Sequence, residues 1–197
     1  MNEGHLEFLA SAEWAQMLQT DLWPWVESVG DLGDDVVEIG PGPGLTTDLL
    51  RGRVAHVTAV EVDEALAAAL KRRLSGTNVS VVSADATRAN LPSNRFSAAT
   101  CFSMLHHMAA PKDQDALFEV LHRALRPGGI FVGADAIDIE PIRAGHIDDT
   151  FTPVPPETLP ERLAKAGFGE TEMDVGDYQF RFVARKVDGA STSVPST

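Results

Sequence analysis

The stretch VVEIGPGPGLTTDLL, residues 36–50, carries the clearest structural pattern in this chain. A run of apolar β-forming residues leads into Gly40, Gly42 and Gly44, and a helical pattern begins directly after them. A strand, a glycine turn and a helix in this order open the βαβ units of parallel sheets, whose ligands bind beyond the carboxyl ends of the strands. The stretch therefore predicts an α/β protein with a ligand site at these glycines.

Short apolar runs alternate with helical patterns from Val36 to about Gly167, as in a doubly wound parallel sheet. The predicted parallel strands cover residues 35–40, 55–62, 78–85, 96–103 and 129–136. The runs ETEMDV and QFRFVARKV flank Gly176-Asp177-Tyr178 and predict an antiparallel hairpin. The predicted fold class is α/β: a Rossmann-like, doubly wound, mostly parallel seven-stranded sheet with a C-terminal antiparallel hairpin.

Helix signals punctuate this pattern. Asp63 is a candidate N-cap for the helix that runs towards Gly76. The stretch from residue 113 carries one apolar stripe and is expected to stop at Pro127. Thr158 and Glu161 have the spacing of a capping box.

Residues 1–187 are predicted to form a single domain, and the polar tail 188–197 is predicted to be disordered. Residues 1–33 are expected to be helical and hold all three tryptophans. Together with Phe8 and Leu9, these tryptophans either form an apolar lid or anchor the segment to the core. The stretch DTFTPVPPET, residues 149–158, is a candidate for the opposite wall of the pocket.

Charge and composition restrict the partners. A formal net charge of −13 argues against binding to a phosphate backbone, which depends on clustered Lys and Arg. The single cysteine, Cys101, excludes an intramolecular disulfide, and no apolar run reaches the length of a membrane span. With no signal-peptide pattern at its start, the chain is predicted to be cytoplasmic and to act on a small molecule, without nucleic-acid or membrane partners. The oligomeric state stays open.

The glycine loop departs from the dinucleotide fingerprint G-x-G-x-x-G, because Leu45 occupies the place of the third glycine. Pro41 and Pro43 have no N–H, so the loop has given up donors on which a pyrophosphate depends. Glu38 would repel a pyrophosphate and favour an ammonium group, unless it only pairs locally. The loop therefore favours a ligand without phosphates.

Two carboxylates at the following strand ends indicate a nucleoside. Glu61 lies where a carboxylate accepts both ribose hydroxyls. Asp85 is placed to accept a hydrogen bond from an exocyclic amine such as that of adenine, although an Asp in this position also serves as a turn residue.

The ordered motifs EIGPGPG, VEVD, SADA, CFSMLHHM and LRPGG resemble those of the class I S-adenosylmethionine-dependent methyltransferases, over roughly residues 33–187. The stretch VTAVEVDEALAAALKRRL is also similar to the ribosomal RNA adenine dimethylase branch. That branch carries an Asn-Pro-Pro-Tyr-like or Asn-Leu-Pro-Tyr-like motif where this chain reads Ser103-Met-Leu-His-His107. The resemblance therefore favours the small-molecule methyltransferases.

The resemblance implies S-adenosyl-L-methionine as the cofactor and direct displacement at an O, N or C atom of the acceptor. In matching positions, the glycine loop would line the methionine end, Glu61 would hold the ribose and Asp85 the adenine. The implied cofactor-binding residues are Glu38, Gly40, Gly42, Gly44, Glu61, Val62, Asp85, Ala86, Phe102 and Ser103.

His106 and His107 are the candidates for a general base, with packing beneath the cofactor as the alternative role. His146 is a weaker candidate. His5, His56 and His122 are interpreted as surface or helix-end residues. The aspartates at the end of the fifth strand and after it suggest a magnesium site, but Asp-rich loops are commonly just solvated and no metal is predicted. These aspartates are Asp135, Asp138, Asp148 and Asp149.

Two alternatives remain. An NAD(P)-dependent reductase would use a similar sheet, but the loop and the lack of a Tyr-x-x-x-Lys pair count against it. A methyltransferase-like protein that binds the cofactor without turnover would keep the same motifs.

Overall fold

The computed structural model describes residues 3–187, so the predicted disorder of the tail 188–197 lies outside the described residues. The segment before the sheet is helical, as predicted, with a π-helical turn at Leu18–Leu22. Its helices are α1 (Glu3–Leu9), α2 (Ala12–Met17) and α3 (Trp23–Val29). The next units, each a strand followed by a helix, are β1 (Asp35–Ile39) with α4 (Leu45–Arg51) and β2 (His56–Glu61) with α5 (Glu64–Arg73).

The second half completes the sheet. It holds β3 (Val79–Ser83), β4 (Phe96–Phe102), α6 (Pro111–Ala124), β5 (Leu125–Ala136), α7 (Glu140–Gly145), α8 (Leu159–Lys165), β6 (Phe168–Val175) and β7 (Gln179–Lys186). Short 3₁₀ turns lie at Leu105–His107 and Pro156–Thr158. Among residues 3–187, no helix combines the length and the apolar character needed to cross a bilayer.

The seven strands form one sheet in the order β3-β2-β1-β4-β5-β7-β6. Strands β1 to β5 run parallel, and β7 is antiparallel to both of its neighbours. The prediction of a mostly parallel seven-stranded sheet with a C-terminal antiparallel hairpin is confirmed. The order of the strands reverses between β1 and β4, and ligands of such sheets bind at that switch point.

The central strands are buried on both faces, which explains their nearly continuous apolar sequences. Along β1, Val37 and Ile39 pack with α6 and α8, whereas Val36 packs with Leu50 of α4 and with the N-terminal helices. The central strands are therefore fixed from both sides, and their carboxyl ends are held in place.

Three local expectations can be compared with the structure. Asp63 is the N-cap of α5, and its Oδ1 accepts hydrogen bonds from Ala65 N and Leu66 N, as predicted. The capping box at Thr158 is wrong: its hydroxyl donates to Pro155 O, because the residue already lies in a 3₁₀ turn with helical dihedral angles. Helix α6 ends at Ala124, before Pro127, and the chain passes directly into β5.

Candidate functional site

A cavity of about 590 Å³ opens at the carboxyl ends of the parallel strands, on the side of the switch point. Its size lies in the range of small-molecule sites, roughly 300–1,000 Å³. One end is lined by the glycine loop and by the residues after β2, β3 and β4; the N-terminal helices and residues 149–150 also contribute to the lining.

Within the glycine loop, from Gly40 to Gly44, every N–H is used inside the chain. Pro41 and Pro43 have none, and the three glycines donate to acceptors of the protein. These bonds are Gly40 N to Val60 O (2.9 Å), Gly42 N to Glu61 Oε2 (3.0 Å) and Gly44 N to Pro41 O (2.9 Å). The loop has no N–H to spare for a phosphate.

Two of these glycines line the cavity and have a left-handed φ that favours glycine. Gly40 has φ +66° and a Cβ there would lie 2.3 Å from Met104 Cγ. Gly42 has φ +54°, and a Cβ there would meet no atom within 4 Å. Since Gly42 lines the cavity, that open space is part of the cavity.

Glu61 is buried, and its carboxylate is fixed by two backbone donors. Its Oε2 accepts from Gly42 N at 3.0 Å and its Oε1 accepts from Asp63 N at 3.0 Å. Each oxygen retains a further lone pair, because a carboxylate offers about four acceptor sites. The residue faces the cavity with its orientation already set.

Asp85, two residues after the end of β3, forms a turn and also lines the cavity. Its Oδ1 accepts from the N–H and the hydroxyl of Thr87, at 2.9 and 2.8 Å, which forms a turn. Its Oδ2 lies 3.9 Å from Arg88 Nε, and the residue lines the cavity. The turn therefore holds the carboxylate at the cavity wall.

The structure brings most of the other predicted cofactor residues to this wall. Val62, Ala86, Phe102 and Ser103 line it together with Gly40 and Gly42. Ser103 has φ +51°, a left-handed conformation that a non-glycine residue rarely adopts. Such strain accumulates at functional sites.

Glu38 and Gly44 are not part of the cavity lining. The Glu38 carboxylate accepts hydrogen bonds from the hydroxyls of Thr46 and Thr47. Its burial raises its pKa from 4.5 to about 7. A Cβ at Gly44 would meet Leu70 Cδ2 at 2.4 Å, so this glycine allows the loop to pack on α5.

Beside the cavity, four imidazoles form a cluster. His107 lines the cavity, whereas His106 is buried. The ring centroids of His106 and His107 are 4.2 Å apart. His146 lies 5.2 Å from His107, centroid to centroid. His5, the third residue of α1, lies 5.0 Å from His107 with only 14% of its side chain exposed. Of the two interpretations given for it, the surface residue is wrong and the helix-end position holds. Helix α1 folds back over the strand ends and carries His5 there.

The carboxylates of Asp135 and Asp149 lie against the cluster. His106 Nδ1 interacts with Asp135 Oδ1, and Asp135 Oδ2 accepts from Leu105 N at 2.7 Å. Burial, followed by the charges of the neighbouring histidines, lowers the pKa of His5 to about 4 and that of His107 to about 3. The His5 and His107 rings are therefore neutral at pH 7.

The aspartates considered for magnesium do not converge. Asp135 forms a hydrogen bond with His106, and Asp138 forms a salt bridge with Arg143. Asp149 instead lies against His5 and His107.

The tryptophans divide between the two roles considered for them. Trp14 lines the cavity with Leu6 and Leu9. Trp23 is buried: its Nε1 donates to Glu27 at 2.7 Å, and Arg53 lies over its ring. Trp25 stacks with Arg181, 5.4 Å from the ring centroid. Trp23 and Trp25 thus anchor the N-terminal helices.

Residues 36–129 match the family model of a methyltransferase domain. The ubiquinone biosynthesis O-methyltransferase of Pseudomonas fluorescens is 34% identical over 110 residues, which cover 53% of this chain and 46% of that protein. The ribosomal RNA small subunit methyltransferase A of Bordetella pertussis is 48% identical over 62 residues, or 31% of this chain and 23% of that protein. The chain thus spans less than half the length of the curated relatives it matches.

Among solved structures, a SAM-dependent methyltransferase from Aquifex aeolicus superposes with a TM-score of 0.73 at 20% identity, covering 95% of this chain and 100% of that one. This similarity supports the fold over nearly its whole length. The family match begins in β1 and ends within β5, and so spans the strand ends that surround the cavity.

Proposed function

We propose that this chain, whose core is a class I S-adenosylmethionine-dependent methyltransferase domain, binds that cofactor and transfers its methyl group to a small-molecule acceptor. The observation that carries the proposal is the closed hydrogen bonding of the glycine loop, in which no N–H from Gly40 to Gly44 is left for a phosphate. S-adenosylmethionine supplies an electrophilic methyl group on a sulfonium and contains no phosphate.

The residues of the cavity fit a nucleoside. Glu61 would accept the ribose hydroxyls with an orientation that the backbone fixes in advance. Asp85 Oδ2 would accept from the adenine amine, beside the apolar surfaces of Val62 and Ala86. Of the ten cofactor residues proposed from the sequence, Glu38 and Gly44 act through the shape of the loop, since neither lines the cavity.

The acceptor would bind between the 3₁₀ turn and the N-terminal helices. Leu6, Leu9 and Trp14 provide apolar lining of the cavity, which Met104 and His107 also line. The net charge of −13 and the absence of the dimethylase motif at residues 103–107 favour a small molecule over RNA. The relative that acts on ribosomal RNA matches only 62 residues, whereas the ubiquinone O-methyltransferase matches 110.

The protein's main contribution to catalysis would be to position the acceptor in line with the departing sulfur. Well-oriented reactants gain roughly 7–11 kcal/mol from proximity. His107 is a poor general base, because a group with a pKa of about 3 holds a proton weakly at neutral pH. Its neutral ring instead offers lone pairs at the cavity wall.

Calorimetric titration with S-adenosylmethionine, S-adenosylhomocysteine and NADPH tests the proposal. We expect saturable binding of the first two and none of NADPH. Glu61→Ala should weaken binding by at least tenfold, about 1.4 kcal/mol. The matched control is Glu64→Ala, three residues further on, which removes an exposed carboxylate outside the cavity. Binding of NADPH alone would contradict the proposal and favour the reductase.

Turnover separates an enzyme from a binding protein. Formation of S-adenosylhomocysteine should require an acceptor, and a panel of small phenols, hydroxy acids and amines is the first choice. Cofactor binding without turnover on any acceptor class would favour the alternative that only binds.

A further inference from the structure

Three imidazoles from distant parts of the chain meet at the acceptor end of the cavity. They come from α1 (His5), the 3₁₀ turn after β4 (His107) and the end of α7 (His146). Their ring centroids form a triangle with sides of 4.9, 5.0 and 5.2 Å. One nitrogen from each lies within 4.8 Å of the others. Ligands of a tetrahedral zinc ion are about 3.4 Å apart, given bonds of about 2.1 Å, so small side-chain rotations suffice.

The nitrogens of His146 are in the state that a metal ligand needs. Its Nδ1 lies 2.7 Å from Ile142 O and therefore carries the proton, which leaves the lone pair on Nε2. Metal-binding histidines are commonly oriented in this way, by a backbone carbonyl on the other nitrogen.

Within residues 3–187, His146 Nε2 and both ring nitrogens of His107 are buried and have no hydrogen-bond partner. Buried polar atoms are nearly always paired, so each such exception calls for an explanation. A metal ion between the rings would satisfy His146 Nε2 and one of the two nitrogens of His107.

Asp149 brings a negative charge to the same place. Its Oδ1 lies 3.8 Å from His107 Nδ1, its Oδ2 lies 3.9 Å from His5 Nδ1, and its side chain is 2% exposed. A carboxylate beside three imidazoles completes a set of nitrogen and oxygen ligands that suits first-row transition ions, whereas magnesium and calcium prefer oxygen alone.

We propose that His5, His107 and His146, with Asp149 beside them, bind a divalent first-row transition-metal ion such as Zn²⁺ at the acceptor end of the cavity. His107 and Asp149 line the cavity, so an open coordination position would face the acceptor.

The role of the ion rests on the proposed function. An acceptor hydroxyl in the open position loses its proton to water, because the metal lowers its pKa. The oxygen then forms the new O–CH₃ bond as the S–CH₃ bond breaks, and the sulfonium becomes a neutral thioether. The acceptor class is therefore a hydroxyl compound, and the metal takes the place of a general base.

The test is a titration of metal-stripped full chain, without affinity histidines, with Zn²⁺ and Co²⁺. We expect one equivalent per chain and the intense visible absorption of low-symmetry, nitrogen-ligated Co²⁺. His107→Ala and His146→Ala should each lower the affinity by more than the roughly 10–100-fold that loss of a second-shell partner causes. His56→Ala, which removes an exposed imidazole far from the triangle in sequence, should bind as the parent does.

Acetohydroxamate, a simple metal-binding hydroxyl probe, should shift the Co²⁺ spectrum if the open position is accessible, and an unchanged spectrum would overturn the role proposed for it. No binding by the parent, or binding by both histidine variants as tight as that of the parent, would overturn the site. S-adenosylhomocysteine titrated into the same samples keeps the two proposals apart: metal binding without nucleoside binding would contradict only the proposed function, and the reverse only the metal site.

Discussion

Gly42 is the residue where the shape of the loop and the space for the ligand coincide. Its N–H is held by Glu61, and its α-carbon faces open space in the cavity. We expect Gly42→Ala to weaken S-adenosylhomocysteine binding by at least tenfold, because the added methyl group occupies the ligand's space. The left-handed φ of +54° adds a stability loss of roughly 1–2 kcal/mol. Calorimetry and denaturant unfolding measure the two effects separately.

Gly76→Ala is the matched control, since Gly76 has φ +79°, open surroundings and no place in the cavity. It should lose a similar amount of stability and bind the ligand normally. Equal affinities for the two variants would mean that the ligand does not approach Gly42.

The burial of Glu38 leads to a second prediction, which concerns the pH dependence of the free energy of unfolding. Its pKa is 4.5 ordinarily and about 7 in the folded protein, because it is buried. Between these values the folded state holds a proton that the unfolded chain has lost, so the free energy of unfolding falls as the pH rises and levels off above about 7. Glu38→Gln removes this titration. The free energy of unfolding of this variant minus that of the parent should therefore increase by on the order of 3 kcal/mol from acid to alkaline pH.

Denaturant unfolding of both proteins at several pH values measures this difference, in which all other titrations cancel. Glu64→Gln, at an exposed glutamate, should show a flat difference. A flat difference for Glu38→Gln as well would mean that the carboxyl titrates normally in the folded state.

For single residues, the sequence predicts correctly that Glu61 and Asp85 lie at the cavity, because the end of a strand places them without reference to the rest of the chain. The histidine cluster is different. His106 and His107 are visible as candidates, but the contacts of His5 depend on how α1 folds back over the sheet, and no local pattern encodes that.

Among the elements, the N-terminal helices place one tryptophan at the cavity. The other two, Trp23 and Trp25, anchor these helices to the rest of the protein. Trp14 lines the cavity, and Trp25 stacks on Arg181 away from it. S-adenosylhomocysteine should therefore change the tryptophan emission of the parent protein. Trp14→Phe should abolish most of that change, and Trp25→Phe should keep it. Both residues are half-buried, which makes them a matched pair. A signal that survives Trp14→Phe would place the reporting tryptophan elsewhere.

The boundaries of elements are predicted well where one residue type decides them. The N-cap Asp63 is such a case, because its side chain alone satisfies the first N–H groups of α5. The prediction of a capping box at Thr158 is wrong because the backbone of this residue is already helical in the preceding 3₁₀ turn. The spacing to Glu161 carries no information about that turn.

For the whole molecule, ligand binding to the native state raises stability by mass action. At a concentration of 100 times Kd, the gain is about 2.7 kcal/mol. For a chain of this size, each kcal/mol raises Tm by roughly 2–4 °C. S-adenosylhomocysteine should thus raise Tm by about 5–10 °C. Thermal unfolding followed by circular dichroism measures this increase, and Glu61→Ala should show little of it at the same concentration. An equal rise in the variant would argue that the ligand binds elsewhere.

The parallel half of the sheet is predictable, because its apolar runs alternate with helices along the chain. The position of β7 in the sheet cannot be predicted in this way. A hairpin pattern predicts that β6 pairs with β7, but it does not indicate which of the two strands lies against β5. The structure places the later strand inside, so β6 joins the sheet only through β7.

That arrangement has a consequence for truncated chains. A premature stop shortly after Tyr178 would remove the strand that lies between β5 and β6, although every residue of the cavity would still be present. The long β5 would then be left as an open edge with unpaired backbone groups, and such edges promote aggregation. A nonsense or frameshift change there should cause loss of protein through self-association, although no residue that contacts a ligand is altered.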